Sequence, residues 1–283
     1  MNLHVIETGN FKLDGGAMFG VIPKILWQNV YPADENNLCN LSLRCLVIET
    51  EDKKILIDTG LGTKQDEKFF SYYSLNGEES LEKSLHSSGL TKEAITDVII
   101  THLHFDHCGG AVTYDPVIGS YNPAFPNATY RVSRDQWEWA VNPNPREKAS
   151  FLKENMIPLM NHERIRFIEK ETFLFPRVEI RLFNGHTAGM AIPIIHLDSG
   201  KTLVYTADLF PTAAHIPVSW VCGYDTQPLV SMKEHADFLA EAFEKQYTLF
   251  FEHDINTECC TLKQTKKGIR ADRFLSLREF LAN

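Results

Sequence analysis

The sequence predicts a layered α/β protein with mixed β-sheets, and three observations lead to that expectation. Apolar, β-branched runs of strand length recur along the chain. Helix-start signals are interleaved with them rather than gathered at one end. Hairpin signals occur in both halves and call for antiparallel neighbours, which a purely parallel sheet lacks.

The elements follow in chain order. Leu43–Thr50 and Lys54–Asp58 flank the polar turn Glu51-Asp52-Lys53, a hairpin pattern. A helix is expected over Glu78–Ser87, then the short apolar strand Asp97–Thr101. Tyr114 to Asn127 holds Pro116, Gly119, Pro123 and Pro126 and reads as a loop. Ser133-Arg134-Asp135-Gln136 fits a capping box, in which hydroxyl and amide side chains satisfy the first N–H groups of a helix. Val178–Phe183 alternates with period two. Ala191–Leu197 and Thr202–Thr206 flank Asp198-Ser199-Gly200, a second hairpin. Ser231-Met232-Lys233-Glu234 predicts a helix to about Gln246 with Met232, Ala236, Leu239, Ala242 and Phe243 on one face. Thr248–Phe251 is a further apolar run, and Arg273–Leu281 a last helix.

Composition narrows the function classes. With 283 residues, 43% of them hydrophobic, no repeat and no long linker, the chain reads as a single domain over 1–283. Thirty-seven acidic against 28 basic residues give a net charge of −9, which repels phosphate backbones and argues against nucleic acid as a partner. No uninterrupted apolar run is long enough for a membrane span, so no membrane partner is expected. The opening MNLHVIETGNF has no basic n-region, and the six cysteines form no CxxC pair, so a reduced, cytoplasmic protein is expected.

Chemistry concentrates in Thr101-His102-Leu103-His104-Phe105-Asp106-His107-Cys108-Gly109-Gly110. Alternate residues of an extended chain point the same way, so His102 and His104 can converge on one ion. Asp106 and His107, in the turn that follows, can offer a carboxylate and an imidazole to a second. Gly109 and Gly110 allow the tight path such a loop requires. Burying this much polarity without a metal would be costly, whereas His4, His86, His162 and His196 read as ordinary isolated histidines. Cys108, inside the motif, reads as a packing residue. Three later ligand-type residues stand at strand ends: His186 in NGHTAGM, Asp208 in TAD, and His253 in FFEHD.

The ordered set HxHxDH (102–107), His186, Asp208 and His253, with DTGLG at 58–62 upstream, resembles the metallo-β-lactamase-fold hydrolase superfamily. Within it the chain looks most like methyl-parathion-hydrolase-like enzymes and acyl-homoserine lactone lactonases. The resemblance implies an αββα sandwich of two mixed sheets with helices on the outer faces. It makes His102, His104 and His186 ligands of a first metal, and Asp106, His107 and His253 ligands of a second. Asp208 becomes the bridging carboxylate, and Asp58 a buried group that orients a ligand histidine. Two divalent transition-metal ions are implied, zinc first, with manganese, iron or cobalt chemically acceptable.

The implied reaction is attack by a metal-bridging hydroxide on a small ester-like molecule: a lactone, carboxylic ester or phosphotriester. Asp106 orients the nucleophile and passes a proton to the leaving alkoxide. Two alternatives within the fold are an iron-dependent redox or persulfide-handling protein and a β-lactamase-like hydrolase. Many lactonases carry a tyrosine three residues after the bridging aspartate. Here Pro211 stands there, which leaves His215 and Tyr224 as candidates for its role. The uncharged segment Ala17–Pro23 reads either as a pocket lining or as an edge strand.

Overall fold

The computed structural model describes residues 1–282. The chain divides into two compact units. Unit 1 comprises residues 1–10 and 43–170, and unit 2 comprises residues 11–42 and 171–283.

Among the described residues, the stretch 2–168 carries eight strands: β1 (Asn2–Asp14), β2 (Leu38–Glu49), β3 (Lys54–Ile57), β4 (Asp97–Ile99), β5 (Val112–Asp115), β6 (Ser120–Pro123), β7 (Thr129–Ser133) and β8 (Ile165–Ile168). Six of them form a sheet in the order β1-β2-β3-β4-β7-β8. β1 and β2 each contribute residues to both units. The pair β2–β3 is antiparallel across the expected turn, with Val47 opposite Leu56. β3–β4, β4–β7 and β7–β8 are parallel. All three residues of β4 are buried, as a central parallel strand requires. The core of unit 1 is an apolar cluster that includes Val47, Leu56, Val98, Tyr130 and Leu159.

Unit 2 holds a seven-stranded sheet built from β9 (Thr172–Phe175), β10 (Val178–Phe183), β11 (Met190–His196), β12 (Thr202–Tyr205), β13 (Thr248–Phe250), β14 (Cys259–Thr265) and β15 (Gly268–Leu275), in the order β15-β14-β13-β12-β11-β10-β9. The hairpin β11–β12 is antiparallel, whereas β12–β13 is parallel, so this sheet is also mixed.

Several expectations change. The long helix runs Pro228–Glu244, not from Ser231, because Pro228 occupies its first turn, where a missing N–H costs nothing. Its buried face is therefore Ser231, His235, Phe238, Leu239 and Ala242, and Ala236 is exposed. The proline-rich stretch 114–127 contains the hairpin β5–β6, with Gly119 supplying a positive φ between the strands. The Glu78–Ser87 helix begins at Leu81, after the Ser80 cap. The final helix begins only at Leu277, since residues 273–275 complete β15. The segment Ala17–Pro23 is not an edge strand: it continues the short helix Gly15–Phe19, burying Met18 and Phe19 and exposing Val21. Ser133 caps the helix Arg134–Val141 as expected, accepting from the Gln136 amide at 3.1 Å.

Candidate metal centre

In unit 1 the HxHxDH segment leaves the end of β4 and turns into the short helix Phe105–Cys108. Asp58, just past β3, is fully buried and holds a positive φ of 56°. Its carboxylate accepts from the Thr101 amide at 2.7 Å and the Thr101 hydroxyl at 2.6 Å, and lies 3.1 Å from His107 Nδ1. An ionised carboxylate only accepts, so His107 carries its hydrogen on Nδ1 and keeps Nε2 basic. The Thr101 hydroxyl, already donating to Asp58, accepts from His102 Nδ1 at 3.1 Å, which keeps Nε2 of His102 basic as well. His104 is held the other way round: its Nε2 lies 3.3 Å from Glu147 Oε1, leaving Nδ1 as the basic nitrogen. Glu147 is itself buried and fixed by Trp139 Nε1 and Asn144 Nδ2, each at 2.6 Å. The His102 ring centroid is 3.9 Å from that of His107 and 4.6 Å from that of His104. Asp106 is buried, with Oδ2 3.9 Å from His107 Nε2.

The two glycines after the motif are needed for space. A Cβ on Gly109 would lie 2.1 Å from the Leu61 carbonyl oxygen, and one on Gly110 would lie 2.2 Å from that of Thr59. The DTGLG and HCGG segments thus run backbone against backbone, and Thr59 adds bonds from its amide and hydroxyl to the His107 carbonyl at 2.8 and 2.9 Å. Lys64 donates to the Gly109 carbonyl, and burial lowers its pKa to about 8. Cys108 is buried, its thiol pushed up to about 12 mainly by desolvation, which agrees with a packing role.

In unit 2 three strand ends supply the other ligand-type residues. His186 follows β10 in a loop whose Asn184 and Gly185 amides donate to Glu234 at 2.8 and 2.9 Å. Asp208 follows β12, and His253 follows β13. His186 Nδ1 lies 2.9 Å from Asp225 Oδ1, and its Nε2 lies 3.1 Å from Asp208 Oδ2. His253 Nδ1 donates to the Ser42 carbonyl at 2.9 Å, and its Nε2 lies 3.3 Å from Asp208 Oδ1. Burial opposes charge on His186, but Asp208 and Asp225 outweigh it and raise its pKa to about 10. One carboxylate therefore presents each of its oxygens to a different buried imidazole.

Sequence reading did not find Glu147, Asp225 or Glu234, the carboxylates that hold ligand-type histidines or their loops. No spacing marks them, since each reaches its partner only through the fold. Of the candidates for the tyrosine role, His215 is fully buried. Its Nε2 donates to the Met18 carbonyl at 3.0 Å, and its Nδ1 accepts from the Thr212 hydroxyl at 2.8 Å. Its ring stacks on Phe19 with centroids 4.7 Å apart, so both nitrogens and a ring face are engaged in packing. Tyr224 remains partly exposed at the surface.

A family model described as the metallo-β-lactamase superfamily matches residues 43–253. An N-acyl homoserine lactonase of Bacillus cereus is 27% identical over 237 residues, covering 78% of this chain and 85% of that protein. The crystal structure of a probable metal-dependent hydrolase from Staphylococcus aureus superposes with a TM-score of 0.88 and 32% identity, covering 97% of this chain and 96% of the other. AidC, described as a dizinc quorum-quenching lactonase, shares the fold at a TM-score of 0.78 and 21% identity, covering 97% and 95% of the two chains.

Proposed function

Since the chain belongs to the metallo-β-lactamase superfamily, we propose that it is a binuclear metal-dependent hydrolase of small ester-like molecules: lactones, carboxylic esters or phosphotriesters. The observation that carries this reading is the pair of imidazoles facing opposite oxygens of Asp208. A neutral His253, with its ring hydrogen on the Ser42 carbonyl, would turn a lone pair toward a carboxylate oxygen at 3.3 Å. Two acceptors at that distance repel unless a proton or a cation offsets them. His186, with Nδ1 on Asp225, meets the other oxygen at 3.1 Å, where its raised pKa puts a proton in the place an ion would take.

In this reading His102, His104 and His186 hold one ion, Asp106, His107 and His253 hold the other, and Asp208 serves both. The donor set of imidazoles and carboxylates suits zinc first, and manganese, iron or cobalt as well. Such ions supply Lewis acidity toward a C=O or P=O oxygen and make a water acidic enough to lose its proton near neutral pH. The chain's own contribution is to fix the imidazoles through Asp58, Glu147 and Asp225, and to take up on the Asp106 carboxylate the proton that the water loses and deliver it to the leaving oxygen. A match to one family model that draws on residues of both units supports treating 1–283 as one domain. The lactonase relatives favour a lactone, Pro211 stands where the lactonase resemblance implies a tyrosine, and the net charge of −9 disfavours an anionic polymer.

Two measurements test the proposal. Metal analysis of loaded protein is expected to find close to two transition-metal ions per chain, and a single iron per chain would overturn the binuclear reading. On the same preparation, kcat/KM for a long-chain lactone, an aryl ester and a phosphotriester should exceed that for a phosphodiester or a β-lactam. Either of the latter leading by about tenfold, equivalent to about 1.4 kcal/mol in the barrier, would overturn the substrate class.

A further inference from the structure

Unit 2 encloses an open cavity of about 400 Å³, a size that suits a small organic ligand. Its walls are largely apolar: Val30, Tyr31, Ile216, Trp220 and Phe274 line it, and Arg270 stands among them. Val30 and Phe274, 57% and 60% exposed, form an apolar rim to the cavity. Arg270 is half-buried, and its guanidinium donates to the carbonyl of its own neighbour Ile269 at 2.6 Å. Among the described residues no carboxylate pairs with it. The one acid in the wall, Asp254, already accepts from the amides of Ala213 at 3.0 Å and of Asn256 and Thr257 at 2.9 Å.

A partly desolvated guanidinium among aromatic and aliphatic walls calls for an anion with an apolar body. A single negative charge suits it better than a phosphate dianion, which would meet the Asp254 carboxylate in the same cavity. We propose that this cavity is a binding site for a carboxylate carrying an apolar chain, with Arg270 as its anchor and Trp220 and Phe274 against the chain. The cavity also adjoins the segment that carries His253. The Tyr31 hydroxyl lies 3.3 Å from the His253 carbonyl and accepts from the Ile255 amide at 3.2 Å. An occupant therefore rests on the groups that fix His253 and should raise the melting temperature.

Such a carboxylate has two sources, a free fatty acid or the acid released when an acyl ester is opened. Calorimetric titration of the metal-loaded protein with decanoate, with N-decanoyl-L-homoserine and with uncharged 1-decanol separates them. At least one of the two carboxylates should bind with one site per chain, and the tighter one names the source. R270Q should weaken carboxylate binding about tenfold or more and leave 1-decanol unchanged, whereas R270K keeps most of the affinity. A214W, which places an indole in the cavity, should abolish binding of all three, and it decides the matter if R270Q proves unstable. Absence of saturable carboxylate binding would overturn the proposal. So would R270Q or A214W with wild-type affinity, because the carboxylate would then sit elsewhere, the metals included. None of these readouts requires hydrolysis, so the site stands or falls apart from the proposed reaction.

Discussion

His104 is oriented by a carboxylate 43 residues further along the chain. Glu147 accepts from His104, Trp139 and Asn144, and a glutamine there would turn an NH₂ group toward at least one of those donors. Glu147→Gln is therefore expected to weaken zinc binding by about 10–100-fold, measured by competition with a chromogenic chelator. Unchanged affinity would show that Glu147 only packs. Asp208→Ala removes the anion that two imidazoles face. One ion should bind much more weakly and turnover should collapse, while far-UV circular dichroism stays that of a folded protein. Near-wild-type activity with both ions retained would refute the shared-ligand role. The contrast between these residues explains what the sequence could convey. Four ligand-type residues within six positions announce themselves, and His186, Asp208 and His253 are legible as strand ends followed by glycine or acid. Glu147 and Asp225 have no local signature, because a side chain that acts through another is defined by distance in space alone.

Among the elements, strands were more legible than helix starts. β10 falls on the bounds its alternation predicts, and both hairpins pair antiparallel. The helix Pro228–Glu244 was misread because Ser231 and Glu234 imitate a cap. In the structure Ser231 lies against the Gly185 backbone and Glu234 reaches the Asn184 and Gly185 amides, so both residues serve the loop of His186. The DTGLG and HCGG segments form another such joint. Gly109→Ala would drive a methyl group to 2.1 Å from the Leu61 carbonyl oxygen, and both sides of that contact are backbone. The expected cost is about 1–3 kcal/mol or more, with metal content falling in parallel. Thermal unfolding and metal analysis of the variant test this, and a wild-type melting temperature would contradict the close approach.

For the whole molecule, buried histidines away from the ligand set should add to its sensitivity to acid. His235 is buried on the long helix, with one nitrogen serving the Leu209 carbonyl and Nδ1 without a hydrogen-bond partner among the described residues. Burial lowers its pKa to about 4, and burial lowers that of His215 too. Above pH 6.5 His235 is neutral whether folded or unfolded and contributes no pH dependence. As pH falls from 6.5 toward 4 the unfolded chain takes up the proton first, so folding loses up to about 3 kcal/mol from His235 alone. His235→Leu should shrink the difference in urea midpoint between pH 7 and pH 5, and an unaltered difference would exclude this source of acid sensitivity. The mixed architecture was legible from interleaved patterns and hairpins. The division into two contact-dense units was not, since β1 and β2 belong to both and no linker marks a boundary.

The placement of His186 between Asp225 and Asp208 would also make the proposed metal centre an ion exchanger. With its pKa raised to about 10, this imidazole holds a proton at neutral pH until a metal displaces it. Zinc added to metal-free protein in weak buffer at pH 7 should release about one proton or more per chain, readable on a pH-stat. Apparent affinity should then climb with pH, and mild acid should discharge the metal by running the exchange backwards. Acidification would thus discharge the metal, and return to neutrality would recharge the centre from the available metal.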